Sequence, residues 1–289
     1  MTIKLDNIKH IYNEGSVFEK VSLNNISLEI TTGEMVAIIG HTGSGKSTLI
    51  QHMNGLIKPT SGEVLVDEKN IHSDKSHLRQ VRQKIGLVFQ YPEHQLFEET
   101  IYKDVAYGPT LQKLSKEEIT IRTQSALTVV GLGEEVYEKS PFELSGGQKR
   151  RAAIAGVLAM QPDVLILDEP VAGLDPRGRD EILSQIIHMH KELKITVILV
   201  SHSMDDVARL SQRVFVMNQG ELACVGTPPE VFSQGDLLES IGLDVPQISK
   251  LMGKLGLPKS IFSVEEAVKV ILDRGVSSHS LYTRETKEV

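Results

Sequence analysis

The sequence predicts an α/β fold, in which a mainly parallel sheet has helices on both faces and follows a small antiparallel sheet. Three observations predict it. Runs at 164–167 and 195–200 are apolar on both faces and are separated by a helical segment, which is typical of a covered parallel sheet. Residues 3–30 alternate with period two, as half-buried strands do. A glycine-rich loop lies between an apolar run at 35–39 and a helix that begins near Lys46.

Local signals predict the first elements in order. Two strands, one from residue 3 and one over 23–30, precede a turn that leads into the buried strand 35–39. The helix after the glycine-rich loop is expected to end near Leu56, since Pro59 and Gly62 mark a turn. The elements expected next are a strand at 63–66, a polar helix at 76–83 and a buried strand at 85–89.

From residue 91 to about residue 160 the pattern changes to helices and loops, which indicates a helical subdomain inserted into the α/β core. Ser115 and Glu118 have capping-box spacing at the start of one of its helices. The core resumes with the strand 164–167, a helix capped by Asp175 and the strand 195–200. A hairpin at 213–217 and 221–225 closes it. The helix after Asp175 is expected to bury Ile182, Leu183, Ile186, Ile187, Met189 and Leu193.

The chain is expected to divide near residue 235. Residues 1–235 form the main domain, and residues 236–289 form a small helical C-terminal appendage, because glycines and prolines interrupt short helical segments there. The last residues, 279–289, are polar and are expected to fray.

Composition excludes several classes of protein. Lysine and arginine total 31 against 38 acidic residues, a formal charge of −7, so a broad nucleic-acid footprint is not supported. Cys224 is the only cysteine, which excludes an intramolecular disulfide framework and fits a reducing compartment. The longest apolar runs are far shorter than a membrane helix, and the first residues alternate like a strand rather than a signal peptide. We therefore expect a cytosolic protein that reaches a membrane only through a partner.

The glycine-rich loop has the pattern G-x-x-x-x-G-K-[ST] between a strand and a helix, which predicts a phosphate loop. Its glycines let successive backbone N–H groups point inward at a helix N-terminus, where a polyphosphate fits. The lysine adds a charge for the β- and γ-phosphates, and the serine hydroxyl is a ligand for Mg²⁺. The loop consists of Gly40, His41, Thr42, Gly43, Ser44, Gly45, Lys46 and Ser47.

Two adjacent carboxylates, Asp168 and Glu169, follow the buried strand 164–167. The first emerges at the carboxyl edge of the sheet, where it can bind Mg²⁺ directly or through water. The second is placed to orient or deprotonate an attacking water. A second anion site is indicated by Ser145, Gly146, Gly147 and Gln148 at the start of a helix. Since one triphosphate does not need two such sites in one subunit, this one is better explained by a nucleotide that another subunit holds.

Together these motifs resemble the nucleotide-binding subunit of ATP-binding-cassette (ABC) proteins, over about residues 1–235. The resemblance implies two ATP molecules between the phosphate loop of one subunit and residues 145–148 of another, in a head-to-tail dimer. By resemblance, Lys46, Ser47 and Thr48 bind phosphate and Mg²⁺, and Gln90 contacts Mg²⁺ and the attacking water. Asp175 acts across the dimer, His202 contacts the γ-phosphate and Tyr12 stacks on adenine. Tyr12 could also be an ordinary edge-strand tyrosine, and His202 a structural histidine.

The segment 89–99, F-Q-Y-P-E-H-Q-L-F-E-E, resembles the ATPases of energy-coupling-factor transporters, which import vitamins and some transition-metal ions. That resemblance implies a second, non-identical ATPase, a transmembrane coupling protein, interchangeable substrate-binding membrane proteins and a peripheral place on the cytoplasmic face of the membrane. Aromatic residues flanked by Glu93, Glu98 and Glu99 suit a helix with arginines from the coupling protein, docking near Gln90–Glu99. The alternative for this segment is a solvated loop.

Two other functions stay open at this point. One is the ATPase of a conventional importer with an extracytoplasmic solute-binding protein. The other is a soluble ABC ATPase that acts on nucleic acid, against which the acidic balance and the absence of a long heptad repeat between Gln90 and Leu144 both argue. The remaining histidines His52, His72, His188 and His190 show no metal-ligand spacing and are expected to be surface or packing residues.

Overall fold

The computed structural model describes residues 1–273, and the predicted fraying of 279–289 lies outside them. Ten strands form two sheets: β1 Ile3–Tyr12, β2 Lys20–Ile30, β3 Met35–Gly40, β4 Ser61–Val66, β5 Lys69–Asn70, β6 Ile85–Val88, β7 Val164–Asp168, β8 Thr196–Val200, β9 Arg213–Asn218 and β10 Glu221–Gly226. The helices are α1 Lys46–Met53, α2 Lys75–Lys84, α3 Ile101–Leu111, α4 Lys116–Val129, α5 Gly146–Leu158, α6 Pro176–Leu193, α7 Met204–Leu210, α8 Pro228–Phe232, α9 Gly235–Ser240, α10 Gln247–Lys254 and α11 Val264–Asp273.

The first sheet is antiparallel, with strand order β2-β1-β4-β5. Its buried residues include Leu23 and Ile26, which lie three positions apart, although strict alternation would place them on opposite faces. The pairing explains this, because Ile26 opposes Ile8 while Leu23 opposes His10, so β2 carries one extra residue. Asn25 between them has a left-handed φ of 56°. A bulge therefore returns Leu23 to the buried face.

The second sheet has strand order β10-β9-β3-β8-β7-β6 and is parallel except for the β9–β10 hairpin. Its central strands β3, β7 and β8 are buried on both faces, as the continuous apolar runs predict. Alternate residues enter different cores: Ile166 and Ile198 face the antiparallel sheet and α1, whereas Leu165 and Leu199 face α5, α6 and the helical subdomain. The predicted α/β core, with an antiparallel sheet before it, is confirmed.

The carboxyl ends of the parallel strands meet at one edge of the sheet. Strand β3 ends at the phosphate loop, β7 ends at Asp168, β8 runs into His202, and β6 runs into Gln90. Four segments that are distant in sequence therefore lie side by side, since neighbouring parallel strands end together.

The β9–β10 hairpin clamps the phosphate loop from the side. Gly220 donates its N–H to the Ser44 carbonyl at 3.0 Å. The His41 ring lies 3.1 Å from the Asn218 side-chain oxygen, although the two residues are 177 positions apart in the chain. Strand β9 also pairs directly with β3. The phosphate loop is thus held by β3, which leads into it, and by the β9–β10 hairpin, which comes much later in the sequence.

Most differences from the predicted elements occur at element ends. Helix α1 ends at Met53 rather than near Leu56, and Leu193 is 42% exposed, so its predicted burial is wrong. Leu193 is the last residue of α6, where the chain turns away through the left-handed Lys194. Ser115 caps α4 by accepting from the Glu118 N–H, which is one half of the predicted capping box.

The region after residue 235 packs in two parts. Leu238 and Leu243 belong to the same cluster as Val214 and Val216 of β9. Met252, Leu257, Ile261 and Ala267 form a separate small cluster between α10 and α11. In the described residues 1–273, the helices are all too short or too polar to cross a membrane.

Candidate active site at the carboxyl edge of the parallel sheet

The phosphate loop forms an anion-binding turn in front of α1. Gly43 and Gly45 have φ values of 82° and 105°, which L side chains rarely adopt. A side chain at Gly45 would also lie 2.7 Å from the Ser22 carbonyl, so the loop requires glycine there. Lys46 is buried and donates to the carbonyls of Gly40 and His41 at 2.8 and 3.0 Å. Burial lowers the pKa of Lys46, while Glu169 and Asp168 nearby oppose that shift.

Beside the loop is a depression of about 190 Å³. Tyr12 lines it together with Ser47 and Thr48, and its hydroxyl lies 3.2 Å from the Thr48 hydroxyl. The Tyr12 ring packs edge-on against His10 and is 39% exposed. Tyr12 is thus partly exposed beside the phosphate loop.

Asp168 lies directly against the loop. The Ser47 hydroxyl donates to one of its carboxylate oxygens at 3.3 Å. Burial raises the pKa of Asp168, and the neighbouring charge of Glu169 adds to the rise, while Ser47, Lys46 and His202 act against it. The two side chains together present only oxygen atoms, as Mg²⁺ requires of its ligands.

Both carboxylate oxygens of Glu169 are held by side chains from other strand ends. The Gln90 amide donates to one oxygen at 2.8 Å, and Nε2 of His202 lies 2.8 Å from the other. Glu169 itself has a left-handed φ of 49°, an unusual conformation for a glutamate. The structure therefore brings together Gln90, Glu169 and His202, which the sequence predicts as catalytic residues.

Residues 145–148 lie on a different surface. Ser145 caps α5, accepting from the Gln148 N–H, and the Gln148 side chain accepts from the Ser145 N–H in return. Nothing lies within 4 Å of where a side chain at Gly146 or Gly147 would begin. Together with Asp175 they line a cleft of about 320 Å³ that contains no residue of the phosphate loop. The structure thus does not bring the two predicted anion sites of one chain together.

Asp175 caps α6, because its carboxylate accepts from the Gly178 N–H at 2.8 Å. It faces the same cleft as Gly146 and Gly147. The predicted site residues therefore fall into two groups: Tyr12, the phosphate loop and the strand-end residues on one surface, and Ser145, Gly146, Gly147 and Asp175 in this cleft.

Comparison with known proteins decides the family. The ABC transporter family matches residues 23–172, which include the phosphate loop, Gln90, residues 145–148 and Glu169. The chain belongs to the ABC transporter family.

Its similar relatives include energy-coupling factor transporter ATP-binding proteins named EcfA2. The protein from Clostridium tetani is 55% identical over 278 residues, covering 94% of this chain and 96% of the relative. The one from Caldanaerobacter subterraneus subsp. tengcongensis is 50% identical and covers both chains fully. The chain is therefore a member of the energy-coupling factor branch of the ABC transporter ATPases.

Solved ABC ATPases have the same fold. The structure of cbiO1 from Clostridium perfringens, described as part of the ABC transporter complex cbiONQ, matches with a TM-score of 0.74 and 42% identity, covering 87% of this chain and 98% of that one. A dimeric cassette in a post-hydrolysis state with ADP and phosphate matches with a TM-score of 0.69 and 32% identity, covering 78% and 98%.

Two arginines of this ABC ATPase that local sequence patterns did not predict lie at the site: Arg150, which is buried, and Arg179, whose side chain is 38% exposed. Arg150 on α5 bridges several segments of the site, and Arg179 on α6 donates to Asp206 and Ser203, next to His202. A signal for Arg150 exists, because it precedes the buried Ile154 and Leu158 at spacings of one and two helical turns. A charged residue in an apolar stripe indicates a paired side chain rather than a surface one.

One predicted surface contact is wrong. Glu93, expected to face a partner, has only 16% of its side chain exposed and pairs with Arg150 inside the chain. Of the four histidines expected at surface or packing positions, His52 is buried, His72 and His190 are half-buried and His188 is exposed. His52 lies on the buried face of α1, and its Nδ1 donates to the Thr48 carbonyl at 2.7 Å.

Proposed function

We propose that this chain is the ATP-hydrolysing subunit of an energy-coupling factor transporter, and that Glu169 activates the attacking water. The observation that carries the proposal is that Gln90 and His202 hold both oxygens of Glu169 beside the contact between Ser47 and Asp168. Such an arrangement orients a general base before the substrate arrives.

The nucleotide would lie along the phosphate loop. The backbone N–H groups of residues 40–47 would receive its phosphates, with Lys46, Ser47 and Thr48 as side-chain partners. Lys46 donates to two loop carbonyls in this structure, and phosphate oxygens would replace them as stronger, charged acceptors. Tyr12 would stack on the adenine from the adjacent depression.

The donor set at the sheet edge fits Mg²⁺. Ser47 and Asp168 place two oxygens 3.3 Å apart, and the side-chain oxygen of Gln90 is a third candidate. Mg²⁺ prefers oxygen ligands and commonly takes one or two carboxylates together with substrate phosphates. When bound, the ion neutralises charge that develops on the β- and γ-phosphate oxygens.

Hydrolysis needs a water in line with the bond that breaks. In the proposed step, the water oxygen bonds to the γ-phosphorus while the bond to the β–γ bridging oxygen breaks, and Glu169 takes the water proton. Gln90 keeps the Glu169 carboxylate facing the substrate, and His202 stabilises its other oxygen while contacting the γ-phosphate.

The site is complete only with a second subunit. In the proposed head-to-tail dimer, Ser145, Gly146, Gly147 and Gln148 of the other subunit face the γ-phosphate, and Asp175 lies at the junction. The open glycines in the cleft support this, because their N–H groups are accessible to a phosphate from outside the chain. We propose a non-identical ATPase as the natural second subunit.

The membrane contact would lie at residues 90–99. Phe97 is 63% exposed and packs edge-on against Tyr107, which is 43% exposed, and Glu98 and Glu99 lie next to them. Exposed aromatics beside carboxylates suit an amphipathic helix with arginines from a transmembrane coupling subunit. The protein would then lie on the cytoplasmic face of the membrane, and membrane partners would select the vitamin or related micronutrient.

Glu169→Gln tests the catalytic proposal. The amide is isosteric but cannot accept the water proton, so we expect turnover to fall by roughly 10²- to 10⁴-fold while ATP affinity is retained. Single-turnover hydrolysis measures turnover, and equilibrium binding measures the affinity for ATP. The dimer should accumulate when ATP is present. Hydrolysis within about twofold of the parent would refute Glu169 as the base.

Charge reversal tests the membrane contact. Glu98→Lys with Glu99→Lys should reduce the yield of hydrophobic subunits that co-purify from membranes by roughly tenfold, because both carboxylates would repel arginines instead of attracting them. ATP binding should not change. Glu117→Lys, an exposed site on α4, is the matched control. If co-purification is unchanged, Glu98 and Glu99 do not form the contact with the membrane subunit.

A further inference from the structure

Arg150 is among the largest fully buried side chains in the molecule, with 1% of its side chain exposed. It lies on the first turn and a half of α5, directly after Ser145–Gln148 in the chain. A buried guanidinium is costly unless every face of it is paired. Its partners therefore indicate what the residue does.

The guanidinium makes four hydrogen bonds with its five N–H groups. Nε and Nη2 donate to the two carboxylate oxygens of Glu93 at 3.0 and 2.7 Å, in a two-point fork. Nη1 donates to two backbone carbonyls, those of Pro170 at 2.9 Å and Ala172 at 2.8 Å. Although burial alone would raise the pKa of Glu93, its hydrogen bonds with Arg150 hold that pKa below its usual range.

These partners belong to separate parts of the site. Glu93 is in the short 3₁₀ helix Pro92–Gln95, which begins two residues after Gln90. Pro170 and Ala172 are in the strap that connects Glu169 to Asp175. A single side chain thus joins the Gln90 segment, the Glu169 strap and the helix behind Ser145.

Each of the two backbone segments that Arg150 joins contains a residue in a strained conformation. Tyr91 and Glu169 have left-handed φ values of 55° and 49°. The Tyr91 ring lies 6.0 Å from the guanidinium carbon, within cation–π range. Such conformations persist only where the surroundings determine them, and the Arg150 hydrogen bonds attach next to both residues.

We propose that Arg150 is a positioning residue for hydrolysis, which holds the Gln90 segment and the Glu169 strap in the one arrangement where the Gln90 amide meets the Glu169 carboxylate. This rests on the proposed function of Glu169. Arg150 also links the proposed membrane contact at residues 90–99 to the cleft at residues 145–148. A partner that moves residues 92–99 displaces Glu93, and Arg150 transmits that displacement to the strap and to α5.

Replacing Arg150 with lysine distinguishes a positioning role from simple charge pairing. Arg150→Lys keeps the charge and most of the volume but makes no fork and cannot reach three partners at once. Glu93→Gln keeps an acceptor and removes the opposite charge from the other side of the pair. The matched control is Arg122→Lys, since Arg122 donates to Glu118 at 2.6 Å within the same helical subdomain but contacts no site segment.

The experiment uses the full-length chain in its transporter complex and measures kcat, the KM for ATP and the melting temperature. Arg150→Lys and Glu93→Gln should each lower kcat by between about 10- and 100-fold with KM within about twofold, and the double variant should lose little more than either one. Arg122→Lys should match the parent. A purely structural role would lower the melting temperature and leave kcat of the folded complex unchanged, which would overturn the proposal.

Hydrogen exchange supplies a second readout that also applies to a poorly active variant. In Arg150→Lys, amides of residues 90–97 and 169–175 should exchange faster together, although they are far apart in sequence. Faster exchange confined to α5 would overturn the coupling. If the parent complex itself hydrolyses no ATP, the proposed function fails; if the parent is active and the variants equal it, only the role of Arg150 fails.

Discussion

The sheet edge and the cleft at residues 145–148 are both predicted phosphate sites, but they differ in how their polar groups are satisfied. At the edge, Ser47 contacts Asp168 at 3.3 Å and Gln90 contacts Glu169 at 2.8 Å. In the cleft, Gly146 and Gly147 face open space. The first site is organised before a ligand arrives, whereas the second lacks a partner within its own chain. This difference is what the proposed head-to-tail dimer requires, with the chemistry of one site and the closing surface of another on each subunit.

The largest expected effect is on the cleft. Gly147→Asp puts a carboxylate where the partner's phosphate would arrive, so we expect hydrolysis to fall by roughly 100-fold or more through charge repulsion in a dry interface. ATP binding to the single subunit should stay within about twofold, because the cleft is remote from the phosphate loop. Gly147→Ala is the control for ATP binding by the single subunit, since a methyl group meets no atom of the same chain there. Weaker ATP binding in both variants would mean that the two surfaces are not separate.

A smaller effect is expected on stability behind the phosphate loop. Burial lowers the pKa of His52 from 6.5 to about 4, and the nearby His10 and His72 contribute to that shift. The unfolded chain therefore takes up a proton that the folded chain refuses, so stability is complete above the unfolded pKa and falls as the pH drops toward the folded one. Between about pH 7 and about pH 5 the loss is about 2 kcal/mol.

Urea unfolding at several pH values measures this effect. His52→Leu should flatten the pH dependence in that range, while His188→Leu, an exposed histidine on α6, should leave it unchanged. Equal slopes in the parent and His52→Leu would show that another group causes the acid sensitivity.

The smallest expected effect concerns Asp168. Its raised pKa means that its charged form costs stability in the nucleotide-free protein, and this cost grows as the pH rises from the unfolded value of 3.8 through the folded one. Asp168→Asn should therefore raise the melting temperature at neutral pH by a few degrees at most, with less gain near about pH 4. A lower melting temperature at neutral pH would show that the carboxylate stabilises the apo site instead.

The elements and the sheet-edge residues were predictable because each is encoded locally. A strand that is apolar on both faces and ends in Asp168 predicts both its burial and the side on which the carboxylates emerge. Arg150 was not predictable in this way, since its partners are set by tertiary packing and a charge normally marks a solvated face. The same limit explains Glu93, whose partner is 57 residues away. The burial of Leu193 was predicted wrongly because helical periodicity does not show where a helix ends and the chain turns away.

The position of β9 has a consequence for synthesis of the protein. The strand that carries the phosphate loop is completed by β8 on one side and β9 on the other, and Gly220 and Asn218 brace the loop itself. A ribosome must therefore release about three quarters of the chain before the loop has its supports, since domains fold only after their non-local contacts become available. A nascent chain that ends before β9 has the motif but lacks the β9 pairing and the two contacts that support the loop.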